Sequence, residues 1–153
     1  MILIASERAL PWLPQPNEAR FLLITPLPPA HLSTSALVFA FHGDQLLLSG
    51  RHAHGPDLPG GDIEANETPE AALRRECLEE VGATLGPVTL FAAQESRVRD
   101  HRPAAYPYPY PLSYQLFYHA EVLTLPPFTA IAESRGHHFG TPYEAACRTC
   151  GVR

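Results

Sequence analysis

A chain of 153 residues, 45% apolar and 18% charged, suits one domain with a real core and is too short for two ordinary domains. Its 16 acidic residues outnumber the 11 basic ones, all arginine, and no arginine run could track a phosphate backbone, which argues against duplex nucleic acid as a partner. The apolar start lacks a basic flank and is soon broken by charge and proline, and three cysteines are too few for a disulfide framework, so no membrane span is expected and a cytoplasmic setting is.

Along the chain, the proline-rich first 33 residues offer one uninterrupted strand-like run, Ala19 to Thr25, read as an edge strand. Ser35 to Phe41 and Gln45 to Ser49 form a hairpin around His42-Gly43-Asp44, apolar enough to be buried on both faces. Arg51 to Asn66, rich in glycine, histidine and proline, reads as a loop. Thr68 to Val81 is the clearest helix, with threonine suited to the N-cap, Pro69 to the first turn and Gly82 to the C-terminal stop. Val88 to Val98 and Leu112 to Leu123 are expected strands, separated by an arginine- and proline-rich segment. Thr141-Pro142 opens a C-terminal helix to about Arg148. Strands interleaved with two helices indicate an α/β or α+β fold with a mixed sheet between helical layers.

At 3.6 residues per turn, Glu76, Glu79 and Glu80 fall within an arc of roughly 100° on that helix. Leu73, Cys77 and Val81 make an apolar row beside them, extended by Leu78, which leaves the acids facing a cleft or solvent. Like charges at this spacing destabilise a helix unless neutralised, and an oxygen-only ligand set selects a hard cation such as Mg²⁺, with Mn²⁺ a substitute. An acidic face alone is usually a solvated surface, and it is the residues around it that change the reading.

Gly61, Glu67, Arg75, Glu76, Glu79, Glu80 and Gly82 stand in GDIEANETPEAALRRECLEEVGA, Gly61 to Ala83. The spacing, glycine, five residues, glutamate, seven residues, then Arg-Glu-apolar-x-Glu-Glu-x-Gly-apolar, resembles the Nudix box, and Leu58-Pro59-Gly60 resembles its usual entry. Cys77 and Ala83 replace larger aliphatics, and Asn66 stands where glycine is common, as the other residue that tolerates a left-handed turn.

The resemblance implies a Nudix-type α/β/α sandwich spanning residues 1–153 as a single domain. It implies a metal-dependent pyrophosphohydrolase whose substrate is a small nucleotide-like diphosphate. Glu76, Glu79, Glu80 and the Gly60 carbonyl are the implied ligands of Mg²⁺ or Mn²⁺. Arg75 is the implied partner of Glu67, and with Gly61 and Gly82 these two support the box. The general base is left open between a box glutamate and a later acid, of which Glu133 is the best candidate. Glu64, Glu95 and Glu121 are further acids for which a surface role is the expectation.

Candidate substrate contacts are Arg51, His52 and Tyr110, the last in the stiff Tyr106-Pro-Tyr-Pro-Tyr-Pro111 tract, where any tyrosine could stack a base. Trp12 could wall the substrate or simply pack. The paired histidines His137-His138 read as loop residues, and Cys147-x-x-Cys150 lacks the second pair a zinc site needs. A rival reading is a binding module that senses a nucleotide without turnover, which the complete set of box carboxylates disfavours. Homodimerisation stays open.

Overall fold

The apolar, β-rich runs assemble into one mixed sheet, seen in a computed structural model that describes residues 1–52, 55–125, 127 and 137–142; of residues 51, 52 and 55 only the backbone is described. The elements are β1 (Ile2–Arg8), β2 (Asn17–Leu23), β3 (Ser33–His42), β4 (Gln45–His52), β5 (Gly55–Asp57), β6 (Gly60–Asp62), α1 (Pro69–Val81), β7 (Thr84–Leu85), β8 (Thr89–Val98), β9 (Leu112–Thr124) and β10 (His137–Gly140). The spatial order is β1-β2-β8-β9-β3-β4-β10, with β5 on β4, β6 on β3 and β7 on β9. The β3–β9 pairing is parallel and the others are antiparallel, which makes the sheet mixed as expected.

Side-chain alternation gives the sheet two different faces. On one, Ala36, Val38 and Ala40 of β3, Leu47 of β4 and Leu116 of β9 pack with Leu73, Cys77 and Val81 of α1. Small alanines in β3 let the helix seat closely. On the other, Leu46 and Leu48 pack with Phe39, Phe41 and Leu58. Strand β4 is thus buried on both faces, whereas the second face of β3 is only half-buried. The turn of this hairpin is Gly43-Asp44, with Gly43 at φ 65°.

Helix α1 is bounded as the capping residues predict. The Thr68 hydroxyl accepts from the Ala71 N–H at 3.2 Å, and Gly82 closes the helix in the left-handed region at φ 71°. α1 is the only α-helix among the described residues; of the predicted C-terminal helix only Thr141 and Pro142 are described. Among the described residues no helix is long and apolar enough to cross a membrane.

Four expectations change, one of them being that His137 and His138, read as loop residues, begin strand β10 and pair with β4. The predicted edge strand is β2, an interior strand, because β1 pairs along its outer side in antiparallel register from Ile2↔Leu23 to Arg8↔Glu18. The apolar start of the chain, Ile2–Arg8, forms the edge strand instead. Leu78 does not extend the apolar row; it is 54% exposed, since it lies on the far flank of the stripe. Half of the predicted loop 51–66 is strand: β4 runs on to His52, and β5 and β6 follow, each only three residues long and so without a periodic signature.

Candidate functional site

Strand β6 brings the start of the box against β3, and α1 then returns its carboxylates to the same place. The β6 register is Ser35↔Asp62, Ala36↔Gly61 and Leu37↔Gly60, flanked by Val38 N–H donating to the Pro59 carbonyl at 2.9 Å. Gly60 has φ 143°, a conformation that L side chains rarely adopt, and a Cβ there would lie 2.7 Å from Leu37 Cα and closer still to the Ala36 carbonyl oxygen. Only glycine lets β6 approach β3 this closely.

The three box glutamates have different surroundings. Glu80 is 4% exposed, and its Oε2 accepts from the Gly60 N–H at 3.2 Å. The expectation that all three acids face a cleft or solvent is therefore corrected: α1 turns Glu80 inward between its apolar row and the β6 backbone. Glu76 sits beneath Gly61, where a Cβ would come within 2.6 Å of its Cδ. Glu79 lies outermost, with its side chain more than half exposed.

Arg75 knits the loop to the helix. Its Nε and Nη2 donate to the two carboxylate oxygens of Glu67 at 2.9 and 3.0 Å, Nη2 also donates to the Asp62 carbonyl at 3.2 Å, and Nη1 donates to Glu76 at 2.7 Å and Glu79 at 3.5 Å. The fork geometry fits guanidinium and not ammonium. The Arg75 bond holds the Glu67 carboxyl below the usual glutamate range, and the Glu67 and Glu76 carboxylates raise the guanidinium pKa further. Asn66, at φ 65°, makes the left-handed turn that brings Glu67 into this position, and Glu67 also accepts from the Glu64 N–H at 3.1 Å. Within the helix, Cys77 is fully buried beside these acids, and desolvation, helped by the Glu80 charge, pushes its thiol up to about 12.

As arranged, no three described His, Cys, Asp or Glu side chains converge on one point in the manner of a filled metal site. The donor set nonetheless fits a hard divalent cation. Glu76 and Glu80 both reach the Gly60-Gly61 backbone from α1, glycine leaves the space over Glu76 that a Cβ would fill, and these donors are oxygens.

Next to this turn lies a cavity of about 310 Å³ on the sheet face opposite α1. Gly60, Gly61, Asp62, Asp57 and Leu58 form its wall toward the box, Thr34, Ser35, Leu37, Gln94, Ser96, Ser113 and Gln115 its floor, and Trp12, Leu13, Tyr106 and Tyr108 its far side. The strand register pairs Gln94 with Gln115 and Ser96 with Ser113 across β8 and β9. Tyr110 is not among the lining residues; its neighbours two and four positions earlier take that place. Arg51 and His52 have no described side chains, and Glu133, Cys147 and Cys150 lie outside the described residues. Glu95 is not a surface acid: it is buried, accepts from the Tyr114 hydroxyl at 3.0 Å and pairs with Arg20 at 3.3 Å, a structural tie between β2, β8 and β9. The polar floor escaped sequence reading because Gln94, Ser96, Ser113 and Gln115 are ordinary strand residues until β8 and β9 are set side by side.

A family model described as NUDIX domain matches residues 29–137. The chain belongs to the Nudix family of hydrolases. Among solved structures, a pyrophosphohydrolase of Bacillus subtilis, BsRppH, aligns at 20% identity and TM-score 0.62, over 80% of this chain and 72% of that one. A Nudix hydrolase from Nitrosomonas europaea aligns at 18% identity and TM-score 0.53, over 76% of each chain. A MutT Nudix hydrolase from Burkholderia pseudomallei aligns at 19% identity and TM-score 0.51, over 79% of this chain and 98% of that one. These likenesses establish the fold. No curated protein matches the sequence.

Proposed function

We propose that the chain, as a single domain over residues 1–153, is a pyrophosphohydrolase dependent on Mg²⁺ or Mn²⁺ that cleaves the diphosphate of a small nucleotide-like substrate. The observation that carries this reading is the placement of the Glu80 carboxylate on the Gly60 N–H and of the Glu76 carboxylate against Gly61, beside a cavity open to a ligand. Glu76, Glu79, Glu80 and the Gly60 carbonyl would hold the cation. When bound, that cation supplies charge neutralisation between carboxylates and phosphate, and a polarised water.

The residues of the chain do the rest. Arg75, clamped on Glu67, fixes the loop so that the Gly60 carbonyl and the helix carboxylates keep one geometry. Its contact to Glu76 and Glu79 offsets their repulsion in the free protein. Exposed Glu79 is the box carboxylate best placed to take a proton from solvent-side water, with Glu133 the competing candidate from the later chain.

The test is product release from nucleoside triphosphates, nucleotide sugars, ADP-ribose and dinucleoside polyphosphates with Mg²⁺ or Mn²⁺, comparing the parent chain with Glu79→Gln and Glu80→Gln. Turnover that is lost with chelator and falls at least about 100-fold in these variants supports the reading. Binding without turnover across the panel would overturn it in favour of a sensing module.

A further inference from the structure

The cavity beside the box has a lining that says which part of a ligand it takes. No arginine or histidine is among its described lining residues, and its charged groups are Asp57 and Asp62. These two carboxylates disfavour a bare phosphate against that wall, and the amide and aromatic lining suits an uncharged ring. A volume of about 310 Å³ sits at the small end of ligand sites and holds one ring system with part of a sugar. Gln94 and Gln115 are register partners across β8 and β9 and both line its floor, each amide carrying donor and acceptor groups, with Gln94 Nε2 also donating to Ser96 Oγ at 3.5 Å. Its far side is aromatic: Tyr106 is buried and holds the Tyr108 ring at 5.6 Å in an edge-on arrangement, which leaves Tyr108 partly exposed.

Trp12 lines the same cavity although it is 69% exposed, an unusual state for the chain's only tryptophan. Its loop is not loosely held. Asn17, buried at the start of β2, accepts from the Leu10 N–H at 2.9 Å and donates to the carbonyls of Leu10, Leu13 and Pro14 at 3.0, 3.1 and 3.2 Å. Gln15 adds a bond to the Leu10 carbonyl at 2.8 Å, and the Arg99 N–H donates to the Pro16 carbonyl at 2.8 Å, tying this loop to the segment that carries Tyr106 and Tyr108. One buried amide thus bonds to four backbone groups, its two N–H hydrogens shared among three carbonyls, in a loop that displays an indole at the cavity mouth.

We propose that Trp12 and Tyr108 form a stacking mouth for a nucleobase whose edge is read by Gln94 and Gln115, and that Asn17 is the positioning residue that holds Trp12 there. This deepens the pyrophosphohydrolase reading and rests on it for the diphosphate half of the ligand. Stacking on aromatic side chains accepts any base, so discrimination among bases falls to the two glutamines.

The test needs no turnover. Adenosine, guanosine, cytidine and uridine are titrated against the whole chain in chelator, with ribose as the base-free control, and Trp12 fluorescence is followed. Saturable quenching by at least one nucleoside and none by ribose is expected. Tyr108→Ala should weaken that binding about tenfold while Tyr108→Phe preserves it. Asn17→Ala should lower Trp12 fluorescence anisotropy and weaken binding while the cooperative melt persists. In turnover assays, Trp12→Ala should raise KM about tenfold and leave kcat within about twofold. Equal response to ribose, no response to any nucleoside, or unchanged binding in Tyr108→Ala would overturn the inference. Nucleoside binding without diphosphate cleavage would leave it standing and sink the proposed reaction alone; cleavage with an unchanged KM in Trp12→Ala would do the reverse.

Discussion

Gly60 and Gly61 are adjacent, yet alanine should fail at the two positions for different reasons. At Gly60 the added Cβ meets backbone, the Ala36 carbonyl and Leu37 Cα, from a φ of 143°. The conformation alone costs about 1–3 kcal/mol. Moving β6 off β3 to relieve the overlap endangers the Val38 N–H bond to Pro59 and the Ile63 N–H bond to Thr34, both 2.9 Å, at about 1 kcal/mol each. A loss of about 3–5 kcal/mol follows, a large share of ordinary domain stability, and a fall in Tm of roughly 6–20 °C for a chain of this size. At Gly61 the atoms nearest the Cβ are the carboxylate end of Glu76, which can swing aside and give up its 2.7 Å bond to Arg75. Stability should drop by about 1 kcal/mol or less, while metal affinity and turnover fall together. Thermal unfolding by circular dichroism and Mn²⁺ titration separate the two effects. Equal Tm losses in Gly60→Ala and Gly61→Ala, or undiminished Mn²⁺ binding in Gly61→Ala, would refute the assignment of Gly60 to folding and Gly61 to the site.

Further outcomes follow from the same geometry. Leu73→Ala removes a fully buried side chain and should cost about 2–5 kcal/mol in urea unfolding, whereas Leu78→Ala, on the exposed side of the same helix, should stay within about 0.5 kcal/mol. Thr68→Ala removes the acceptor for the Ala71 N–H and should cost about 0.5–2 kcal/mol by the same measurement. Because the folded Cys77 thiol titrates near 12, above the free thiol's 9.0, the folded state keeps its proton longer; stability from this group is complete below pH 9 and declines between about 9 and 12. The melting temperature followed across that range, with Cys77→Ala as the flatter reference, checks the sign. At the acid end, Glu67 is depressed below 4.5 by Arg75, so its contribution is present above that pH and is lost as the pH falls through its folded value; Arg75→Gln should flatten this acid limb.

Helix α1 and the box were legible without any structure because their signals are local. A threonine cap, a first-turn proline, a terminating glycine and a left-handed asparagine act within a few residues of themselves, and each adopts the geometry its chemistry favours. The fold class followed from the order of apolar runs and the fixed positions of the box. What the tertiary structure alone decided is which groups meet across long stretches of chain. Glu79 and Glu80 are neighbours in sequence, yet one is exposed and the other buried, because only β6 docking on β3 brings the Gly60 N–H against Glu80. β2 became an interior strand only when β1 paired outside it. The cavity draws Trp12, Ser35, Gln94 and Gln115 from four separate segments, and strand register, which depends on packing summed over the whole sheet, is what sets them around one space.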